Sequence, residues 1–260
     1  MNTVEENKRW GEYNWRKDGD EWNDQADFCN QPYDKWKNSI VEHFIYKNIN
    51  KDFTVLEIAP GHGRWSEFIL NKCNKLILVD LNPKCIDFCK KKFFNFKNIE
   101  YYVNDGKKLN FIKDDSIDFI FSYDSFVHME KDVIESYFNE FSRILKIGGT
   151  AIIHHAGRNN IALKLNFLNN FGKIGKFIYK LISLNIFFRL HEWRSNFSKE
   201  MIRNIVFRSD GWRSDVSKEM IRNIATQNGL TIKYQIDSWG KNGEYNTKLF
   251  KDYISKIVKN

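Results

Sequence analysis

Cysteine is scarce and poorly placed for chemistry. The 260-residue chain has four, at positions 29, 73, 85 and 89, with no C-x-x-C pair among them, which speaks against a zinc framework or a redox motif. Cys85 and Cys89 lie one turn apart on an amphipathic segment and read as one face of a helix rather than as metal ligands or a disulfide. No apolar leader opens the sequence. Its first residues, MNTVEENKRW, are polar and charged, so a secretory signal is not expected and a reducing cytoplasm is the default compartment. Acidic residues are outnumbered. Lys plus Arg number 41 against 33 for Asp plus Glu, a net charge of +8. That excess favours anionic partners such as nucleotide-linked sugars, phosphorylated glycans, nucleic acid or a membrane surface, and equally fits a surface that is simply lysine-rich. Proline occurs only three times, and one of the three, Pro60, sits in the most informative stretch of the chain.

That stretch is residues 54–65, TVLEIAPGHGRW, followed by a second apolar run, ILVD, that closes on Asp80. An apolar strand gives way to a small-residue turn, Ala59-Pro60-Gly61-His62-Gly63, which opens a helix. Rossmann-like folds cradle a nucleoside cofactor in this way. Glycine lets the backbone approach a ligand and take dihedrals that a side chain forbids. Asp80 follows at about the 20-residue spacing that delivers a carboxylate to a ribose diol. The turn departs from G-x-G-x-x-G, which makes room for a pyrophosphate. Ala59 replaces the first glycine, Pro60 stiffens the turn, and Glu57 sits on the strand itself. A carboxylate there suits a cationic amino-acid ligand better than a diphosphate. It points to S-adenosylmethionine, whose amino group and sulfonium are both positive.

The length suits one α/β domain with an accessory lid, or at most two small domains. Residues 1–50, with Trp10, Tyr13, Trp15, Trp22, Tyr33 and Trp36, read as a cap of short helices. The cap lies over the cofactor mouth or simply completes the core. Residues 51–156 read as a Rossmann-like core, with strands at 54–59, 75–80, 99–104, 117–122 and 150–155 and helices at 64–72, 83–95 and 131–145. Gly148-Gly149 is expected to stop the last of these helices and turn the chain into the fifth strand. Residues 217–260 complete the fold with a helix and strands near 230–238 and 246–254, paired through the Gly240–Gly243 region. The expected architecture is α/β: a seven-stranded, mostly parallel sheet with helices on both faces and the last strand antiparallel.

Residues 157–216 form an insertion. Its first part, 160–190, is apolar, basic and rich in phenylalanine. An active-site lid, a dimer interface and a membrane-surface helix compete for it. The lid is favoured because the segment leaves the carboxyl edge of the sheet, where ligands bind in open α/β folds. The second part carries a tandem repeat. FRLHEWRSNFSKEMIRNIV (188–206) is followed by FRSDGWRSDVSKEMIRNIA (207–225), offset by 19 residues. Two copies are too few for a solenoid, and a duplication tolerated at the surface is the simplest reading. Ser198 and Ser217 each read as helix N-caps, with Glu200 and Glu219 in the first turn.

With these residues in view, the chain resembles the class I S-adenosylmethionine-dependent methyltransferases over nearly its whole length. EIAPGHGRW resembles the family's first motif, Asp80 its ribose-binding acid, and Asn104-Asp105-Gly106 the third-strand acid that meets the adenine amine. Residues 118–129 resemble the fourth motif, and RILKIGG the element before the fifth strand. YNWRKDGDEWN, FSYDSFVHME, HHAG and the later WRS…NGL…SWG pattern resemble a bacterial subgroup associated with glycan and surface-polysaccharide modification. The 19-residue duplication leaves open whether Trp193-Arg194 or Trp212-Arg213 takes the family position. On this resemblance the cofactor is expected against Glu57, Ala59, Gly61, Gly63, Trp65, Asp80, Leu81, Asp105, Gly106 and Ser122. The substrate is expected against Tyr13, Trp15, His154, Arg194, Arg213 and Trp239.

Methyl transfer to a hydroxyl needs alignment, exclusion of water and removal of a proton. A histidine titrating near neutrality is the natural base. His128 leads, with Asp124 to orient it or to bind substrate. His154 and His155 end the fifth strand on opposite faces, so one of them, His155, is a further candidate. No dense carboxylate cluster follows the fourth strand, so no metal is expected. Methyltransferases of exocyclic base nitrogens resemble one another in an Asn/Asp-Pro-Pro-aromatic turn at that point. This chain has Ser122-Tyr123-Asp124-Ser125 and no recognised RNA-binding module, so nucleic acid ranks below a small, anionic or glycan-precursor substrate. The expected function is O-methylation of a carbohydrate or surface-glycan precursor, on a sugar hydroxyl or a phosphate-type oxygen. The alternatives are methylation of another small metabolite and a non-catalytic cofactor-binding partner subunit.

Overall fold

The computed structural model describes residues 8–13, 15, 22–157, 214 and 216–260. Residues 158–213 and 215 of the insertion, with Arg194, Arg213, Ser198 and the first repeat copy, lie outside the described residues.

The sheet has seven strands in the order β3-β2-β1-β4-β5-β9-β6. They are β1 (Thr54–Ile58), β2 (Lys75–Asp80), β3 (Ile99–Val103), β4 (Ile117–Phe126), β5 (Leu145–Ala156), β6 (Leu230–Ile236) and β9 (Asp252–Lys259). The first five run parallel, and β9 runs antiparallel between β5 and β6. From β1 the chain winds outward through β2 and β3, then returns to β4 on the other side of β1. That reversal opens a crevice at the carboxyl ends of β1 and β4, where open α/β sheets take ligands.

Strand alternation divides the core in two. Leu56, Ile58, Ile77, Val79, Ile120 and Ile153 face one cluster, built with α5 (Lys131–Ile144) and α6 (Lys218–Gln227). Val55, Leu76, Leu78, Phe119, Phe121 and Ile152 face the other. That cluster is covered by α1 (Asn23–Phe28), α2 (Tyr33–Ile40), α3 (Ser66–Leu70) and α4 (Pro83–Lys92). α2 continues into a wider turn, Val41–Tyr46, that buries Val41, Phe44 and Ile45. α5 shows why it folds as a helix. Its buried residues Val133, Ile134, Tyr137, Phe138, Phe141 and Ile144 form one apolar stripe at helical spacing.

The second repeat copy, not the first, supplies the helix that leads into β6. Ser217 Oγ accepts the Met220 N–H, capping α6, and Ile221, Ile224 and Ala225 enter the core.

Three expected boundaries move. α5, the fourth-crossover helix, ends at Ile144 and the chain is already extended at Leu145. Gly148-Gly149 therefore lies inside β5, at a break in its register with β4. Gly148 takes φ +77°, and a Cβ on Gly149 would press on Lys146 O at 2.8 Å. The Gly240–Gly243 turn closes a separate ribbon, β7 (Ser238–Trp239) with β8 (Tyr245–Asn246), not the two core strands. The last strand starts only at Asp252, after a left-handed Lys251 (φ +56°) swings the chain back into the sheet.

Candidate active site

A cavity of about 190 Å³ opens at the crevice between the ends of β1, β2 and β4. Its floor is the turn after β1. Ala59, Gly61 and Gly63 all have positive φ (55°, 56° and 73°), which folds the chain back on itself below the opening. Ala59 does this with a Cβ, a strain of about 1–2 kcal/mol that glycine would escape.

Asp80 ends β2 at the cavity wall and is buried. Its Oδ2 accepts the Gly61 N–H at 3.3 Å and its Oδ1 the Asn82 N–H at 2.8 Å. Burial pushes its carboxyl up to about 6, and those N–H donors oppose the rise. Glu57 lies beneath the turn and does not line the cavity. It accepts Ser66 Oγ–H at 2.6 Å and is pushed up to about 8 by burial. Arg64 is buried in the wall, its guanidinium 5.5 Å from the Trp65 ring centroid.

The opposite wall comes from the end of β4. Tyr123, Asp124, Ser125 and His128 line it. The strand irregularity between Ser122 and Phe126 lifts this segment away from β5. Asp124 takes φ +68°, a conformation in which aspartate is one of the few tolerated side chains. His128 closes a turn, its N–H donating to Ser125 O at 2.9 Å.

The roof is the segment at 8–15. The Trp10 ring lies 5.2 Å from His128, Trp15 lies 5.1 Å from His62, and Tyr13 bridges the two tryptophans at 5.1 and 5.3 Å. Trp15 Nε1 donates to Trp10 O at 3.2 Å, and Glu12 pairs with Lys84. A Cβ on Gly61 would sit 2.9 Å from the Trp15 ring, so that glycine is what lets the roof close on the turn.

The cavity thus brings together His128, Asp124, Ala59, Gly61, Trp65, Asp80, Leu81, Gly106, Tyr13 and Trp15. The other expected site residues are placed elsewhere. Gly63 is small because Phe93 packs on it, 2.7 Å from where a Cβ would stand. Asp105 is exposed, and its Oδ1 accepts the Lys107 and Lys108 N–H groups. Ser122 is buried and donates to Ile58 O, stitching β4 to β1. Trp239 belongs to the core, donating from Nε1 to Ser39 Oγ at 2.9 Å.

His154 and His155 are corrected in the same sense: both are fully buried and neither lines the cavity. His155 donates from one ring nitrogen to Ala156 O at 2.6 Å and meets Ser255 Oγ through the other at 2.7 Å. Burial lowers its pKa to about 4, which fixes it as neutral. His154 stacks on Tyr123 at 4.4 Å and accepts the Asp124 N–H at Nδ1 (3.2 Å). Its Nε2 faces Asp252 Oδ2 at 3.3 Å. It supports the cavity wall from behind.

Sequence reasoning missed Trp10, His62, Asn82, Met129, Val133 and Tyr137 as lining residues. His62 stood inside the quoted turn, and Trp10 stood among the aromatics assigned to the cap. Val133 and Tyr137 show only a helical apolar stripe, and nothing local says which end of it meets the crevice. Among the described residues, no group of three or more His, Cys, Asp or Glu is placed to hold a metal.

The floor has the form that takes a nucleoside. A carboxylate at the end of β2 faces the cavity, and the turn presents backbone where side chains would obstruct. Residues 55–149 match the family described as methyltransferase domain. A ribosomal RNA small subunit methyltransferase A from Coxiella burnetii is 36% identical over 61 residues, 24% of each chain. The ubiquinone/menaquinone biosynthesis C-methyltransferase UbiE of Wigglesworthia glossinidia brevipalpis is 32% identical over 127 residues, 45% of this chain and 47% of that one. The chain therefore matches less than half the length of these curated relatives. Among solved structures, the geranyl diphosphate C-methyltransferase of Streptomyces coelicolor, complexed with Mg2+, geranyl diphosphate and S-adenosyl-L-homocysteine, superposes with a TM-score of 0.60. It shares 12% identity, over 100% of this chain and 99% of that one. The magnesium protoporphyrin IX methyltransferase of Synechocystis, with bound S-adenosylhomocysteine, gives 0.55 at 13% identity, over 87% and 83%. Sequence match and sheet order agree: residues 55–149 match a methyltransferase domain, and the seven-stranded sheet around them has the Rossmann-like fold of S-adenosylmethionine-dependent methyltransferases.

Proposed function

We propose that the protein is an O-methyltransferase for a carbohydrate or surface-glycan precursor, with His128 as the base. The observation that carries this reading is the placement of His128. It is half-buried in the cavity wall, across from the turn and Asp80, under the aromatic roof. Asp80 would hold the ribose, and the backbone of Ala59, Gly61 and Leu81 the rest of the cofactor, with Gly106 on the adenine side. When bound, S-adenosylmethionine supplies a methyl group already activated on a sulfonium. The chain's own residues do the remainder. Trp10, Tyr13 and Trp15 exclude water and offer flat apolar faces to a sugar ring. A ring nitrogen of His128 takes the acceptor's hydroxyl proton as the new bond forms. Asp124, held from behind by His154, orients His128 or the acceptor. The net charge of +8 suits an anionic acceptor.

The test is methyl transfer to nucleotide-linked sugars and capsule fragments by wild type and by His128→Ala with Asp124→Asn. Retained cofactor binding with lost turnover supports the reading. Turnover unchanged in the variant rejects His128 as the base. Turnover only on small metabolites outside the carbohydrate panel rejects the glycan acceptor.

A further inference from the structure

The cofactor turn is backed by α4, and the far end of that helix is chemically unlike its surroundings. α4 closes on Lys90, Lys91 and Lys92. The chain then makes a tight turn in which the Phe96 N–H donates to Phe93 O at 3.0 Å. Phe93 is buried against Gly63. With Phe93 as the anchor, the next residues turn outward: Phe94 is 76% exposed and Phe96 39%.

Lysines at a helix C-terminus are expected from the helix dipole. Lys92 serves the fold in another way, donating to His62 O and Gly63 O of the turn after β1 at 3.3 Å each. The dipole does not account for the phenylalanines. Between residues 83 and 98 the sequence holds lysines at 84, 90, 91, 92 and 97, a single acid, Asp87, and no arginine. Single exposed apolar side chains are ordinary. Two exposed aromatic rings on one turn, next in sequence to lysines 90, 91, 92 and 97, of which Lys90 pairs with Asp87 and Lys92 with Glu67, have the composition that binds an anionic interface. The rings enter the headgroup boundary while the ammonium groups meet lipid phosphates.

We infer that the turn at 93–97, with the lysine-rich end of α4, is a docking site for an anionic phospholipid surface. Charge complementarity selects this occupant. Nucleic acid would use the same cations, but the patch lacks arginine, the bidentate partner of phosphate. The proposed contact is a peripheral one; among the described residues no helix is long and apolar enough to cross a membrane. The inference is independent of the acceptor and of His128.

The test is co-flotation of the full chain with phosphatidylcholine vesicles, with and without phosphatidylglycerol. The protein should rise with the anionic vesicles at low salt and stay behind with phosphatidylcholine alone. Phe94→Ser with Phe96→Ser should lower binding about tenfold, and Lys91→Glu with Lys97→Glu should lower it by about as much. Thermal melting of both variants should match wild type, which separates lost docking from lost fold. Folded wild type that floats with neither vesicle overturns the inference. So does equal flotation of wild type and both variants, which would put the contact elsewhere. An oligonucleotide bound by wild type and released by the same variants, without flotation, would make the patch a nucleic-acid surface instead.

Discussion

β4 and β5 are parallel neighbours, and both carry histidine near their carboxyl ends, yet only one of them delivers it to the cavity. On β5, His154 and His155 pair with Ile254 and Tyr253 of β9. That antiparallel partner seals the strand to its end, and both rings are spent on buried hydrogen bonds. On β4 the register breaks after Ser122, Asp124 turns left-handed, and His128 emerges into the crevice. A place at the carboxyl edge is therefore not enough to bring a residue to the cavity. The pairing on the strand's far side decides whether its end is a wall or an opening.

Substitutions on the two strands should separate chemistry from stability. His128→Ala should cost the most in turnover, about 10²–10⁴-fold, the usual worth of a positioned base. It should change unfolding free energy by under about 1 kcal/mol, since the residue is only half-buried. Methyl-transfer rates and urea unfolding read the two quantities. His154→Leu should do the reverse in its first effect. It leaves the Asp252 carboxylate buried without its imidazole and removes the acceptor of the Asp124 N–H. Denaturant titration should show a loss of about 3–5 kcal/mol.

A subtler contrast lies in pH. His155, depressed to about 4 from 6.5, stays neutral in the fold while the unfolded chain takes up a proton. Its contribution makes stability fall as pH drops from 6.5 to 4. Glu57 acts in the opposite sense. Its folded pKa of about 8 lies above the ordinary 4.5, so its contribution to stability is lost as pH rises between those values. Glu57→Gln should therefore gain on wild type steadily across that window, as measured by melting at a series of pH values. A constant difference between the two would show that Glu57 is ionised throughout. The smallest effect is expected at Ala59→Gly, where relief of left-handed strain and the entropy of glycine nearly cancel, leaving a change within about 1 kcal/mol.

The sheet was legible because its signals are local. Apolar runs of strand length, the small-residue turn and the stripe of α5 each betray an element without knowledge of the rest. So was the floor of the site, since turn and acid sit at fixed spacing on adjacent strands. Boundaries failed where tertiary pairing overrode a local stop signal. Gly148-Gly149 reads as a helix terminator but bends a strand, and Gly240–Gly243 closes a ribbon of its own. The aromatics of the first fifty residues divided in a way composition could not foretell. Trp10, Tyr13 and Trp15 roof the cavity, whereas Trp22 and Trp36 stack in the core at 5.4 Å. The β5 histidines misled for the same reason. Strand alternation predicts that two successive side chains face opposite ways, but not that both faces are covered.

In the proposed site the turn after β1 and Asp80 together hold S-adenosylmethionine. Calorimetric titration of wild type and Asp80→Ala with S-adenosylmethionine and S-adenosylhomocysteine tests it most directly. Wild type should bind both ligands in the micromolar range, and binding should collapse in the variant, which should remain folded. Absence of binding by folded wild type, or equal affinity in the variant, would contradict it.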